Sequence, residues 1–126
     1  MVLDGILRLE HAGHHTITLN KFETDHFLGD WETHSYGRVT DFNLMTTGKT
    51  SGTLEGFYCK KGSTLSFQFQ KNFRVLGLYI YKGSIKNEAL QIEEGEMVMF
   101  WKENDKDSFS IHAIMDAELL LDRIAL

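Results

Sequence analysis

The sequence has no proline and a single cysteine, Cys59. Without proline, no X-Pro isomerisation step slows folding. One thiol cannot close an intramolecular disulfide, which fits a reducing compartment. No apolar run reaches membrane-spanning length, and no basic–apolar–small leader segment opens the chain. Cytoplasmic residence and no membrane partner are the expectations. Positive charge is scarce: 13 basic residues against 18 acidic ones give a net charge of −5. Lys60-Lys61 is the only adjacent basic pair, too little to build a groove that tracks phosphates, so no nucleic-acid partner is expected. The Gly-x-Ser-x-Gly nucleophile motif and the phosphate-cradling glycine loops are also missing.

What the chain does have is aromatics and glycine: nine Phe, four Tyr, two Trp and 11 Gly in 126 residues. A chain of this length buries about two-thirds of its unfolded surface and needs no staple. Short apolar runs bounded by glycine predict an all-β protein. Ile6 to Glu10 and Thr16 to Leu19 alternate around an Ala12-Gly13-His14-His15 turn. Glu23 to Trp31 carries Phe27 and a Gly29-Asp30 turn. Thr40 to Thr46 alternates, with Phe42 and Leu44 on one face and Asp41, Asn43 and Met45 on the other. Ser63 to Gln70 sets Leu65, Phe67 and Phe69 on one face, and Phe73 to Tyr81 reads as a central strand. Leu90 to Ile92, Met97 to Trp101, Phe109 to Met115 and Glu118 to Ile124 complete the set. The last of these has helical propensity, but the repeat described next requires a closing strand there. Lys102 to Asp107 reads as a solvated hairpin loop.

The sequence repeats itself weakly. Val2-Leu3-Asp4-Gly5-Ile6-Leu7 matches Ile80-Tyr81-Lys82-Gly83-Ser84-Ile85, and Ile17, Leu19 and Phe27 match Leu90, Ile92 and Phe100 with the same spacing. Such self-similarity predicts a duplicated β unit. The second copy has a long β-rich run before its glycine and the first has only Met1 to Asp4, so the first copy reads as cut at its start.

The glycine-centred strand pair followed by Ile92-Glu93-Glu94-Gly95-Glu96 and an apolar strand to Phe100 resembles the cupin barrel. Phe27-Leu28-Gly29-Asp30-Trp31-Glu32-Thr33 and Val39-Thr40-Asp41-Phe42-Asn43-Leu44-Met45-Thr46 resemble the signature of the HutD/Ves family of bacterial two-cupin proteins. The resemblance covers essentially the whole chain. It implies a cupin-like double-stranded β-helix (jelly-roll) barrel: a partial N-terminal cupin over residues 1–36 and a complete one over 37–126. It also implies a non-enzymatic protein that binds a small polar or carboxylate metabolite, with a regulatory role in histidine use or stress. Family members commonly carry Arg after Met-Thr, where this chain has Thr47-Gly48-Lys49. The alternatives are a metal-dependent cupin enzyme using some of His26, His34 and His112, and a structural remnant that only dimerises.

Catalytic cupins hold a metal through a His-x-His pair, a glutamate and a later histidine. Neither the strand after Gly5 nor the one after Gly83 carries His-x-His, so no metal, cofactor or catalytic residue is expected. His14 and His15 read as turn residues whose side chains point apart. Five residues are the ligand-binding candidates: Trp31 as a pocket wall, Thr33 as a donor to a carboxylate, Asp41 and Asn43 as polar groups on one strand face, and His112. Asp41 and Asn43 also read as junction residues bonded to backbone. Cys59 reads as inert packing. The unpaired first strands, with Leu3, Ile6, Ile17 and Leu19 needing cover, predict a homodimer.

Overall fold

Alternation of apolar and polar residues with a period of two turns into paired strands along most of the chain. The computed structural model describes residues 1–88, 90–104 and 107–126, and every regular element among them is a β-strand. Two units divide the chain, Met1–Asn43 and Leu44–Leu126. β4 (Thr33–Tyr36) and β5 (Thr40–Asp41) are drawn into the first unit by pairing with β2 (Leu7–His11) and β1 (Val2–Asp4).

In the first unit, β2 lies between β3 (Thr16–Leu19) and β4 in a three-stranded antiparallel sheet, while β1 and β5 form a two-stranded one. Leu7, Leu9 and His11 alternate inward along β2. Val2, Leu7, Leu9 and Leu19 make a small apolar core, with Ile17 and Val39 packed on it. Leu3 and Leu19 are buried within the single chain, so of the residues expected to need a partner's cover Ile6 is the exposed one.

The second unit is a jelly-roll sandwich of two four-stranded sheets, ordered β10-β9-β12-β7 and β11-β8-β13-β6. Its strands are β6 (Ser51–Cys59), β7 (Thr64–Gln68), β8 (Val75–Lys82), β9 (Ser84–Asn87), β10 (Leu90–Glu93), β11 (Met97–Trp101), β12 (Ser108–Ala113) and β13 (Ala117–Ala125). The ambiguous terminal segment is therefore a strand, and it occupies the sheet interior between β8 and β6. Leu76, Leu78 and Ile80 of β8 meet Leu119 and Leu121 of β13 and Ile85 and Ile111 of the facing sheet. Phe57, Phe67, Phe109 and Phe100 continue the core, the last two stacked at 3.8 Å between ring centres. Phe67, Phe69 and Ile111 are buried as expected; Phe42, Leu44 and Phe100 are half-buried. Of the charged run from Lys102, the Asp107 carboxylate accepts the backbone N–H groups of Glu103 and Asn104, a loop-type arrangement. Asp105 and Lys106 lie outside the described residues.

Two expected strands are not there. Of Thr40 to Thr46 only Thr40–Asp41 pairs. Beyond it, Phe42 exchanges backbone bonds with Met1: its N–H donates to the Met1 carbonyl at 2.8 Å, and its carbonyl accepts the Met1 ammonium at 2.9 Å. From Glu23 to Trp31 the chain is a loop closed by a turn at Gly29-Asp30. Phe27, the repeat counterpart of Phe100, is thus in a loop where Phe100 is in a strand.

The repeat is visible as geometry. Gly5 and Gly83 both have φ of +86°, and a Cβ on either would overlap a backbone carbonyl oxygen, that of Arg38 or of Asp116. Val2 donates to the Glu23 carbonyl at 3.2 Å and accepts from Phe22 at 2.7 Å; Ile80 does the same with Glu96 and Gly95 at 3.0 and 2.8 Å. Replacing Gly5 or Gly83 by alanine combines a disfavoured φ with a clash against immovable backbone. We expect each to lower stability by at least about 2 kcal/mol, against about 1 kcal/mol for Gly13→Ala, where φ is positive but space is open. Urea denaturation of the three variants checks the order.

One charge in the second unit is poorly accommodated. Asp122 on β13 is buried, and its Oδ1 has no hydrogen-bond partner among the described residues. Burial raises its carboxyl above the ordinary carboxylate range, and the N–H groups of Gly77 and of Asp122 itself offset this only in part. A carboxyl whose folded value is raised costs stability once pH exceeds the unfolded value. That cost disappears as pH falls back through the folded value and below about 3.9. Asp122→Asn should therefore raise the melting temperature at pH 7, with the gain vanishing near pH 3; calorimetry across that range tests it.

Candidate functional site

The hairpin joining β2 and β3 has a register fixed by Leu7↔Leu19, Leu9↔Ile17 and Glu10↔Thr16. Continuing that register puts His11 opposite His15, and the His11 N–H donates to the His15 carbonyl at 2.8 Å. Opposed residues in an antiparallel pair face the same way. The two imidazoles accordingly lie together, with ring centres 4.6 Å apart.

Asp25, from the loop after β3, closes the group. Its Oδ2 is 2.8 Å from His11 Nε2, and both its oxygens are within 3.0 Å of His15 Nε2. The His26 N–H donates to Oδ1 at 2.9 Å and fixes the carboxylate. The His11 side chain is wholly buried, that of Asp25 is 10% exposed, and that of His15 is 39% exposed. Desolvation pushes the Asp25 carboxyl up. Hydrogen bonds from His15 and His11, the charge of His15 and the His26 N–H outweigh it, and hold the carboxyl below the ordinary carboxylate range.

Thr33, on β4 opposite His11 in register, lies on the far side of the buried imidazole. Its Oγ1 is 2.8 Å from His11 Nδ1 and 3.2 Å from the Trp31 carbonyl, to which it donates. Aromatic rings enclose the group: Phe27 at 4.5 Å from His11 and Trp31 at 5.7 Å. His14 stacks on Trp31 at 3.6 Å with planes within 7°. His14 and His15, expected to be turn residues whose side chains point apart, both lie against Trp31, at 3.6 and 6.0 Å between ring centres.

Of the expected ligand-binding residues, Trp31 and Thr33 belong to this group. Asp41 and Asn43 are exposed near the end of the first unit. Asn43 is therefore not the buried junction amide that the alternation implied. His112 is exposed on β12 in the second unit, with Nδ1 3.1 Å from Thr64 Oγ1. Sequence reasoning missed His11 and Asp25. The hairpin register was the available signal for His11; nothing in the spacing marks Asp25, which reaches the site through a loop. No metal site was expected because neither glycine is followed by His-x-His; two imidazoles and a carboxylate nevertheless converge at the hairpin. His11, His15 and Asp25 present ligand atoms all within 4.8 Å of one another, the only such group among the described residues. The hydrophobic core of the second unit is formed by aliphatic and phenyl side chains together with Cys59, and His112 of that unit is exposed. Cys59 is buried and unpaired. A shallow groove of about 380 Å³ between Leu90 and Val98 holds no converging polar group comparable to the hairpin site.

Removing the Thr33 hydroxyl leaves a wholly buried ring nitrogen unpaired. Thr33→Val, of equal shape, is expected to cost about 1–3 kcal/mol, read as a shift in the denaturation midpoint.

No protein-family model matches the chain, and no curated protein does. Among solved structures, GK1651 from Geobacillus kaustophilus is similar over 98% of this chain and 72% of its own, at 13% identity and a TM-score of 0.63. YhhW from Escherichia coli is similar over 97% and 68%, at 13% identity and a TM-score of 0.58. The cupin domain of Schizosaccharomyces pombe Cnp3 matches 72% and 71%, at 12% identity and a TM-score of 0.43, too loose a superposition to argue from. At these identities the likeness concerns the fold alone, an all-β, antiparallel one. No helix among the described residues is long and apolar enough to cross a membrane.

Proposed function

We propose that this cupin-type chain is a non-enzymatic binding protein of the HutD/Ves kind, with its ligand site at the β2–β3 hairpin and a small polar metabolite as its ligand. One observation carries the reading. His15 faces solvent beside Trp31, and its ring is held by a carboxylate that a buried histidine and a backbone N–H hold in turn. Pre-set polar atoms next to an aromatic wall are what a small-metabolite site needs, because little ordering remains to be done on binding. The HutD/Ves signature supplies Trp31 and Thr33 to this group, so the resemblance and the geometry meet there. The carboxylate nature of the ligand and a regulatory role in histidine use or stress rest on the resemblance. Of the histidines named for a metal enzyme, His34 pairs with Glu32 at 3.1 Å, and His112 Nδ1 lies 3.1 Å from Thr64 Oγ1.

A thermal-shift screen with small carboxylates and imidazole-bearing acids tests the proposal. A ligand at 100 times its Kd adds about 2.7 kcal/mol of stability. We expect a shift that Trp31→Ala abolishes and Asn43→Ala leaves intact. A screen without any shift, or one in which Asn43→Ala alone removes it, moves the assignment to the structural reading.

A further inference from the structure

The geometry points to a second property of the hairpin: we propose that His11 Nε2, His15 Nε2 and a carboxylate oxygen of Asp25 bind one divalent first-row transition-metal ion. The inference stands apart from the metabolite reading.

Thr33 Oγ1 donates its one hydrogen to the Trp31 carbonyl, so toward His11 Nδ1, 2.8 Å away, it is an acceptor. His11 must then carry its proton on Nδ1. In a neutral ring this leaves a lone pair on Nε2, aimed at a carboxylate oxygen 2.8 Å away. Two acceptors at that distance need a positive centre between them: a proton, or a metal ion. A hydroxyl that fixes the tautomer of a ligating histidine from its far nitrogen is the usual support of a metal site. The carboxylate has its own support in the His26 N–H.

The donors suit a particular class of ion. Two imidazole nitrogens and one carboxylate oxygen favour Zn²⁺, Ni²⁺, Co²⁺ or Fe²⁺ over Ca²⁺ and Mg²⁺, which prefer oxygen. Around a tetrahedral ion with bonds of about 2.0 Å, donor atoms lie about 3.3 Å apart. The N···O separations here are 2.8–3.0 Å and all three donors lie within 4.8 Å of one another, so each N···O pair has to open by a few tenths of an ångström around the ion. His15, 39% exposed, lies on the solvent side and leaves an entry path and an open coordination position. A dication with one carboxylate and two neutral imidazoles keeps one net positive charge, which would draw a ligand carboxylate to the open position. This last link rests on the metabolite reading; metal binding does not.

The test uses the whole chain, stripped with chelator and titrated calorimetrically with Zn²⁺, Ni²⁺, Co²⁺ and Mn²⁺ alone. We expect one ion per chain, with affinity rising from Mn²⁺ through Co²⁺ to Ni²⁺. Affinity should fall at least about 100-fold in His15→Ala and Asp25→Asn and about 10- to 100-fold in Thr33→Val, and stay unchanged in His112→Ala. Circular dichroism checks folding, and His15→Gln, at a partly exposed position, replaces any variant that unfolds. Failure to saturate with any of the four ions at about 100 μM would overturn the site, as would binding that survives both His15→Ala and Asp25→Asn, or that His112→Ala removes. Running the carboxylate screen on stripped and loaded protein separates the two readings. Metal binding with no carboxylate shift sinks only the metabolite reading, and a carboxylate shift without metal binding sinks only this one.

Discussion

Everything in the first unit is organised by one close approach of backbone to backbone. At Gly5 the chain leaves β1 and enters the strand Leu7–His11 with its α-carbon against the Arg38 carbonyl, where no side chain fits. Gly83 does the same between β8 and β9 against Asp116. The positive φ at each point turns the chain while keeping it in contact with the segment it crosses. In the first unit this sets which face of β2 is inward. Leu7 and Leu9 take the core, and the period of two puts His11 at the end of the same stripe. The histidine is buried because the glycine two residues before β2 fixes the strand's phase.

A buried imidazole demands partners for both nitrogens. Thr33 comes from β4, paired with β2, and so is placed by sheet register. Asp25 comes from the stretch where the repeat fails. The second copy runs on from Gly95 into β11, which pairs with β8. The first copy runs on from Phe22 into a loop. Phe22 itself holds φ of 67° where the second copy has glycine, a conformation that costs an L-residue about 1–2 kcal/mol. The duplicated architecture is kept up to that corner. Beyond it, ladder pairing gives way to a loop that delivers a carboxylate and two aromatic rings to the hairpin.

This explains what could be read from sequence. Fold class was legible because period-two alternation and glycine punctuation are local signals, and the self-match of Val2–Leu7 with Ile80–Ile85 carried them across the chain. It even decided the terminal segment, whose helical propensity lost to pairing on both sides of β13. Trp31 and Thr33, which join the hairpin group, were singled out through the resemblance to HutD/Ves. His11 and Asp25 were not, because a site made by a strand end and a loop has no fixed spacing. Asp41 and Asn43 misled because alternation through Thr46 suggested a strand that pairs only as far as Asp41.

Two carboxyls among the described residues are shifted, in opposite directions. Asp122, in the larger and better-packed unit, is raised by burial, with backbone N–H donors alone to offset it. Asp25 also suffers desolvation, yet it is lowered, because two imidazoles and an N–H are aimed at it. A carboxylate retained in apolar surroundings without full pairing is a cost carried by the fold. One faced by two imidazoles and an N–H, and left open on the side of an exposed histidine, is an arrangement that core packing does not require. Perturbed groups supported in this way concentrate at binding and catalytic sites. That contrast is what motivates the proposal of a ligand site in the smaller unit.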